Sequence, residues 1–214
     1  MPASADLSGE RGPRPERAVA RAWSVLRDEG PRIFGLKLAS ALGYRKLLLL
    51  GRPLSEPVPP VAPRVPVRVE LLPAAATDEY LAFRPDARRD RILRRWEAGN
   101  LCFVARHEGR IVACGWGTAA AAWTDYLHCA IELAPGDAYL YDGYTRPEWR
   151  GRGIFQALCA EELRALQRAG HRRAIRATAV HNTVAMHVHA RSGFRLIGSI
   201  VRYRLGPWQW IVRR

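Results

Sequence analysis

Lysine is almost missing from this chain. Of 34 basic residues, only Lys37 and Lys46 are lysines, and the rest are arginines. No C-x-x-C pair joins any of the four cysteines, Cys102, Cys114, Cys129 and Cys159. Three of them lie in apolar runs, which argues against a disulfide framework or a zinc site. It argues for small buried thiols in a reducing compartment. No long apolar run occurs either. The longest aliphatic stretch, residues 47–50, falls far short of the ~20 residues that span a bilayer. A charged start followed by an apolar core and a small-residue cleavage site is lacking, so no secretory leader is expected and a cytoplasmic location is. Internal repeats are absent. So is any zinc-finger or RNA-recognition signature, which leaves specific nucleic-acid binding without a reading element.

What is present suits a globular protein. The 214 residues are 48% hydrophobic and 25% charged, enough to bury a core, with a net charge of +14. Arginine holds phosphate with a planar fork of donors, so this surface suits a phosphorylated ligand, nucleic acid or an anionic membrane face. The plainer reading of the same charge is a solvated basic surface.

Punctuation divides the chain. Residues 1–15 are rich in Pro, Gly and Ser and read as a loose tail. Residues 16–50 read as a helical N-terminal extension, with apolar periodicity over 16–28 and 32–42. Residues 44–50 fit a strand as well as a helix. Six prolines in 51–66 mark an extended connector. Residues 67–214 then alternate strand and helix patterns. Strands are expected near 65–71, 101–107, 110–118, 138–145, 173–180, 194–204 and 208–212. Helices are expected at 77–83, 86–98, 152–169 and 182–191, with an irregular segment at 119–137. The mixture implies an α/β (α+β) fold, a central sheet with helices on its faces.

One segment carries chemistry. Residues 139–153 run from a strand through a loop into a helix that opens on Arg150, Gly151, Arg152 and Gly153. The first turn of a helix has N–H groups without intrahelical partners, and glycines let an anion approach them. A diphosphate is the natural guest. The plainer alternative is a Gly-rich turn that starts a surface helix. No Gly-Lys-Ser/Thr follows, so the segment is not a P-loop. Downstream stands a second pattern: Asn182, Ala185, His189, then Gly193 and Phe194. Asn182, Ala185, Met186 and His189 share one helical face, their ends roughly 10 Å apart.

These two patterns, in this order, resemble the motifs of the GNAT superfamily of acyl-CoA N-acyltransferases over about residues 65–205. The first reads Arg/Gln-x-x-Gly-x-Gly/Ala in that family. Here it is Arg150 to Phe155, and Phe155 departs from the small residue expected. Binding survives that departure if the ring points away. The resemblance implies a central mixed, splayed β-sheet flanked by helices. It implies acetyl-CoA or another acyl-CoA as co-substrate, and no metal. Gly143, Tyr144 and Thr145 would pair with pantetheine, and Arg150, Gly151, Arg152, Gly153, Ile154 and Phe155 would hold the pyrophosphate. Asn182 would cap its helix, face the cofactor, or both.

The activity implied is transfer of an acetyl or similar short acyl group to an amine of a small-molecule or peptide acceptor. His189 stands where the family often has the tyrosine that protonates the thiolate. As imidazolium it would donate that proton; as neutral imidazole it would hydrogen-bond the sulfur. Asp142 is a candidate base, with Glu132 and His128 behind it and a water chain as the alternative. Trp116, Trp123 and Tyr126 offer an aromatic lining for an acceptor. A non-catalytic acyl-CoA sensor of the same fold and a basic nucleic-acid-binding protein are the rival readings. Membrane-surface contact through residues 16–50 and homodimer formation stay open.

Overall fold

The computed structural model describes residues 43–214 and, before them, Arg27, Pro31, Phe34, Gly35 and Ala39, which are helical. The tail expected at 1–15 and most of the two helices expected at 16–28 and 32–42 lie outside the described residues.

Eight strands form the main sheet in the order β10-β9-β1-β8-β7-β4-β3-β2. They are β1 (Arg45–Pro53), β2 (Arg68–Leu72), β3 (Leu101–His107), β4 (Arg110–Thr118), β7 (Asp137–Thr145), β8 (Arg173–Ala179), β9 (Arg195–Leu205) and β10 (Trp208–Arg213). A separate hairpin joins β5 (Ala122–Thr124) to β6 (Cys129–Ile131). It falls inside the segment expected to be irregular, because each strand is only three residues long and too short to show alternation. The helices are α1 (Thr77–Phe83), α2 (Arg89–Glu97), α3 (Ile154–Arg168) and α4 (Thr183–Arg191). The fold is the mixed, splayed α/β arrangement expected.

The N-terminal boundary moves. β1 pairs with β8 on one side and β9 on the other, so residues 45–53 lie in the interior of the sheet and not in a helical extension or a connector. The aliphatic run at 47–50 is buried or half-buried because strands flank it on both edges. The proline-rich connector therefore begins after Pro53. It is held down by donors from elsewhere: Gln167 Nε2 donates to the carbonyls of Leu54 and Glu56, and Arg164 Nη2 to that of Pro59.

Both faces of β3 and β4 are covered, which is why their apolar residues run nearly without a break. Cys102, Val104 and Trp116 pack beneath Tyr80, Phe83 and Ile92 of α1 and α2. Phe103, Ala105 and Ala113 pack against Ile154 and Leu158 of α3. All four cysteines are buried free thiols. No helix among the described residues is long and apolar enough to cross a membrane.

A charged pair interrupts this core. Glu162 on α3 is 0% exposed and Arg176 on β8 is 4% exposed, and Arg176 Nη2 donates to Glu162 Oε2. Burial pushes the Glu162 carboxyl up, and the Arg176 charge pulls it back. Gly115 on β4 makes room, since a Cβ there would strike Glu162 Oε1. Removing one partner of such a pair strands a charge in the core. Glu162→Ala is expected to lower stability by about 3–5 kcal/mol in urea unfolding, whereas Glu162→Met with Arg176→Met is expected to fold with near wild-type stability.

Candidate functional site

The site begins where two strands part. β7 and β8 are parallel, and their pairing covers Asp137 with Arg173, Ala138 with Ala174 and Tyr139 with Ile175. A bidentate contact clamps the closed end, with Arg173 Nε and Nη2 donating to Asp137 at 3.0 and 2.8 Å. Beyond it, residues 140–145 of β7 keep their bonds to β4, and residues 176–179 of β8 keep theirs to β1. The facing edges therefore carry N–H and C=O groups that neither strand takes from the other.

A bulge sharpens the divergence. Trp116 pairs with Tyr141 and Cys114 with Tyr144, so Gly115 faces two residues, Asp142 and Gly143. Asp142 has a φ of 49°, held there by its partners: Arg95 Nη1 donates to it at 2.6 Å, and Arg84 Nη1 lies at 3.5 Å. The carboxylate singled out as a base is thus engaged by two guanidiniums from α2 and the end of α1. Neither arginine was expected at the site. Both stand among surface-type residues in sequence, and only the fold brings them to the bulge.

A cavity of about 990 Å³ occupies the opening. It is lined by β7 from Leu140 to Thr145, by the loop and first turn at residues 149–156, by Arg176, Ala177 and Thr178, and by Asn182, Ala185 and His189 of the α4 region. The residues proposed from sequence to hold CoA, together with Asp142 and His189, therefore border one space. Gly151 and Gly153 adopt φ of 73° and 77°, conformations that L-residues avoid. No side chain caps α3, which leaves its first N–H groups facing the cavity loop. Arg150 is partly spoken for, since its Nε donates to the Thr145 carbonyl at 3.1 Å, and Arg152 lies over the Trp149 ring at 4.8 Å. Asn182 Oδ1 accepts from the Ala185 N–H at 3.1 Å, so it caps α4 while bordering the cavity. The connector arrives too: the Arg64 N–H donates to the Arg152 carbonyl at 2.8 Å, and Ala62 and Arg64 line the rim.

One expectation changes and one alternative is narrowed. The Phe155 ring does not point away; it lies against Gly143 in the gap, where a Cβ on Gly143 would meet ring carbons at 2.5 and 2.7 Å. Gly143 is small because Phe155 is large. Of the two forms considered for His189, the surroundings favour the neutral imidazole. Burial and then the nearby Arg176 charge push it down to about 3. Its ring sits 6.4 Å from Phe155 and 5.9 Å from Phe194, and Nδ1 has no hydrogen-bond partner.

The proposed acceptor lining divides. Trp116 is fully buried, and its Nε1 donates to the Tyr80 hydroxyl at 2.9 Å, which makes it core. Trp123 is 64% exposed on the small hairpin. Neither lines the cavity. Glu132 pairs with Arg213 at 3.2 Å.

A family model for the acetyltransferase (GNAT) family matches residues 70–194. No curated protein matches the chain. Among solved structures, a GNAT-family protein from Novosphingobium aromaticivorans shares 18% identity at a TM-score of 0.54, over 74% of this chain and 62% of its own. A GCN5-related N-acetyltransferase from Sphaerobacter thermophilus shares 19% at 0.53, over 85% of this chain and 56% of its own. The chain thus spans less than two thirds of both. The aminoglycoside N-acetyltransferase AAC(6')-Iy, in complex with CoA, shares 19% at 0.53, over 66% of this chain and 95% of its own.

His189 sets a pH dependence of folding. The folded ring stays neutral down to about pH 3, while the unfolded ring titrates near about 6.5. Below that value the unfolded chain takes up a proton that the folded chain refuses. The stabilisation is whole above about pH 6.5 and is lost as the pH falls toward 3. Between about pH 6.5 and 5 the wild type is expected to lose about 1.5 kcal/mol more than His189→Phe, as read by urea titrations at each pH.

Proposed function

The chain belongs to the GNAT family of acetyltransferases, and from that premise we propose that it moves an acetyl or other short acyl group from acyl-CoA to an amine acceptor by direct attack in a ternary complex. The observation that carries this reading is the meeting of an open strand edge and an uncapped helix start on one cavity. The first suits a chain bearing amides, and the second suits a diphosphate. CoA contains both, joined end to end, and the relative AAC(6')-Iy holds CoA.

In this reading Gly143, Tyr144 and Thr145 pair with the pantetheine arm through backbone groups. The N–H groups of residues 151–155 hold the pyrophosphate, with Arg64, Arg152 and Arg191 adding charge from the rim. Thr145 Oγ1, buried and without a partner, is available to a pantetheine amide. The thioester end reaches the bulge at Asp142, where the unpaired edge polarises the carbonyl. Asp142, paired with Arg84 and Arg95, serves in this reading to shape the bulge. The amine gives its proton to water. His189 donates a hydrogen bond to sulfur as a neutral imidazole.

Phe155 and a neutral His189 favour one rival, an acyl-CoA-binding protein without turnover. Free-thiol release from acetyl-CoA with a panel of amines separates the two. Turnover with any amine supports the transferase, and CoA binding without turnover supports the rival. His189→Phe is expected to lower kcat about tenfold, the worth of one hydrogen bond, with no ionisation between about pH 5 and 8 assignable to this ring. An unchanged kcat would remove His189 from the reaction.

Phe155 obstructs the arm it lies beside. Phe155→Ala is expected to tighten CoA about tenfold by calorimetry. Gly143→Ala, which forces the ring to move and costs about 1–3 kcal/mol in the wild type, is expected to be near neutral once the ring is gone.

A further inference from the structure

We propose that Arg176 stabilises the departing CoA thiolate, so that a fixed buried cation does the work that a proton donor would otherwise do. The proposal rests on the acyl-CoA reading above and adds to it a residue that neither motif contains.

Arg176 is the first residue of β8 past its last pair with β7, at the apex of the opening, and it lines the cavity. Its guanidinium is asymmetrically used. Nη2 is taken by Glu162 and lies 3.6 Å from Cys159 Sγ, while Nε is buried with no partner. Phe155 and Phe194 flank it at 5.3 and 5.6 Å, apolar neighbours that do little to spread its charge. Glu162 does not border the cavity. It lies behind, against Gly115. The pair is thus a fixed dipole with its positive end toward the ligand space. That field already reaches the neighbouring ring, since Arg176 is one of the two causes that hold His189 neutral.

The chemistry needs such a charge. The amine nitrogen attacks the thioester carbon, a C–N bond forms, the C–S bond breaks and its electron pair stays on sulfur. The proton of the amine goes to water, and solvent later protonates the thiolate. A neutral imidazole supplies a hydrogen bond but is a poor source of a full proton, so a group that stays ionised would add to the stabilisation of charge on sulfur. Arginine stays charged even when buried, and a preorganised charge costs nothing to reorient during reaction.

The alternative is a purely structural pair tying α3 to β8. The test uses Glu162→Met with Arg176→Met, chosen to remove the charge without stranding its partner, and Arg176→Lys as the conservative change. Calorimetry first establishes CoA binding, with desulfo-CoA as a thiol-free control. The ultraviolet absorbance of the thiolate then follows ionisation of bound CoA against pH. In the wild type the bound thiol is expected to ionise about one to two pH units below free CoA. In the double variant it is expected to return to the free value, with desulfo-CoA affinity within about twofold of wild type. The kcat is expected to fall about 100-fold with KM little changed, and Arg176→Lys to recover part of it. An unshifted thiol in the wild type, or an equal shift in the double variant, overturns the role of Arg176 while leaving CoA binding intact. Failure of the wild type to bind CoA overturns the acyl-CoA reading and this one with it.

Discussion

β7 and β8 share backbone hydrogen bonds over only their first three residues, and the rest of the site follows from where that sharing stops. The closed end is clamped by Asp137 and Arg173. Beyond it each strand keeps only its far-side partner, β7 with β4 and β8 with β1, and the bulge at Asp142 and Gly143 interrupts the regular course of β7. Two sets of peptide groups are left facing a space between them. A sheet edge in the middle of a protein is costly unless something pairs with it. The loop that opens α3 and the cap of α4 both face that same space, so the elements that bind and the elements that react are positioned by one interruption in the sheet.

Inside the opening, size and charge are set by pairs of residues. Gly143 and Phe155 divide one volume: the absence of a side chain on the strand is what admits the ring from the helix. Glu162 and Arg176 divide one charge, and Gly115 gives the carboxylate its room. Each pair spans β-strand and α3, so a substitution in one element is felt in the other. His189 reads the result. Its ring lies among Phe155, Phe194 and the field of Arg176, and its protonation is decided by those neighbours more than by its own chemistry.

Much of the fold was legible because its elements carry clear periodicity. The strands at 101–107 and 110–118, and the helix at 77–83, stand at the residues where alternation and helical spacing place them. The cavity-lining loop was legible from its glycines and arginines. β1 was obscured because an aliphatic run flanked by strands on both sides has no alternating pattern to mark it, and the hairpin of β5 and β6 because its strands are too short. The buried pair did leave a signal: Glu162 continues the i, i+4 stripe of Ile154 and Leu158, and Arg176 interrupts the apolar strand that follows. An acid and a base, each on an otherwise apolar stripe, mark a charge pair inside a core. The grip of Arg84 and Arg95 on Asp142 left none, because it depends on how α1 and α2 cross the bulge.

The placement of β1 also governs how the chain assembles itself. Leu47 and Leu48 are made long before their partners Ala179, Thr178, Ile200 and Ser199. Until then a strand of consecutive leucines has no neighbour on either side. Pairings so distant along the chain form slowly, and unpaired apolar strands invite association with other chains. Until β8 and β9 have been made, this segment is the part of the sheet most open to a wrong partner.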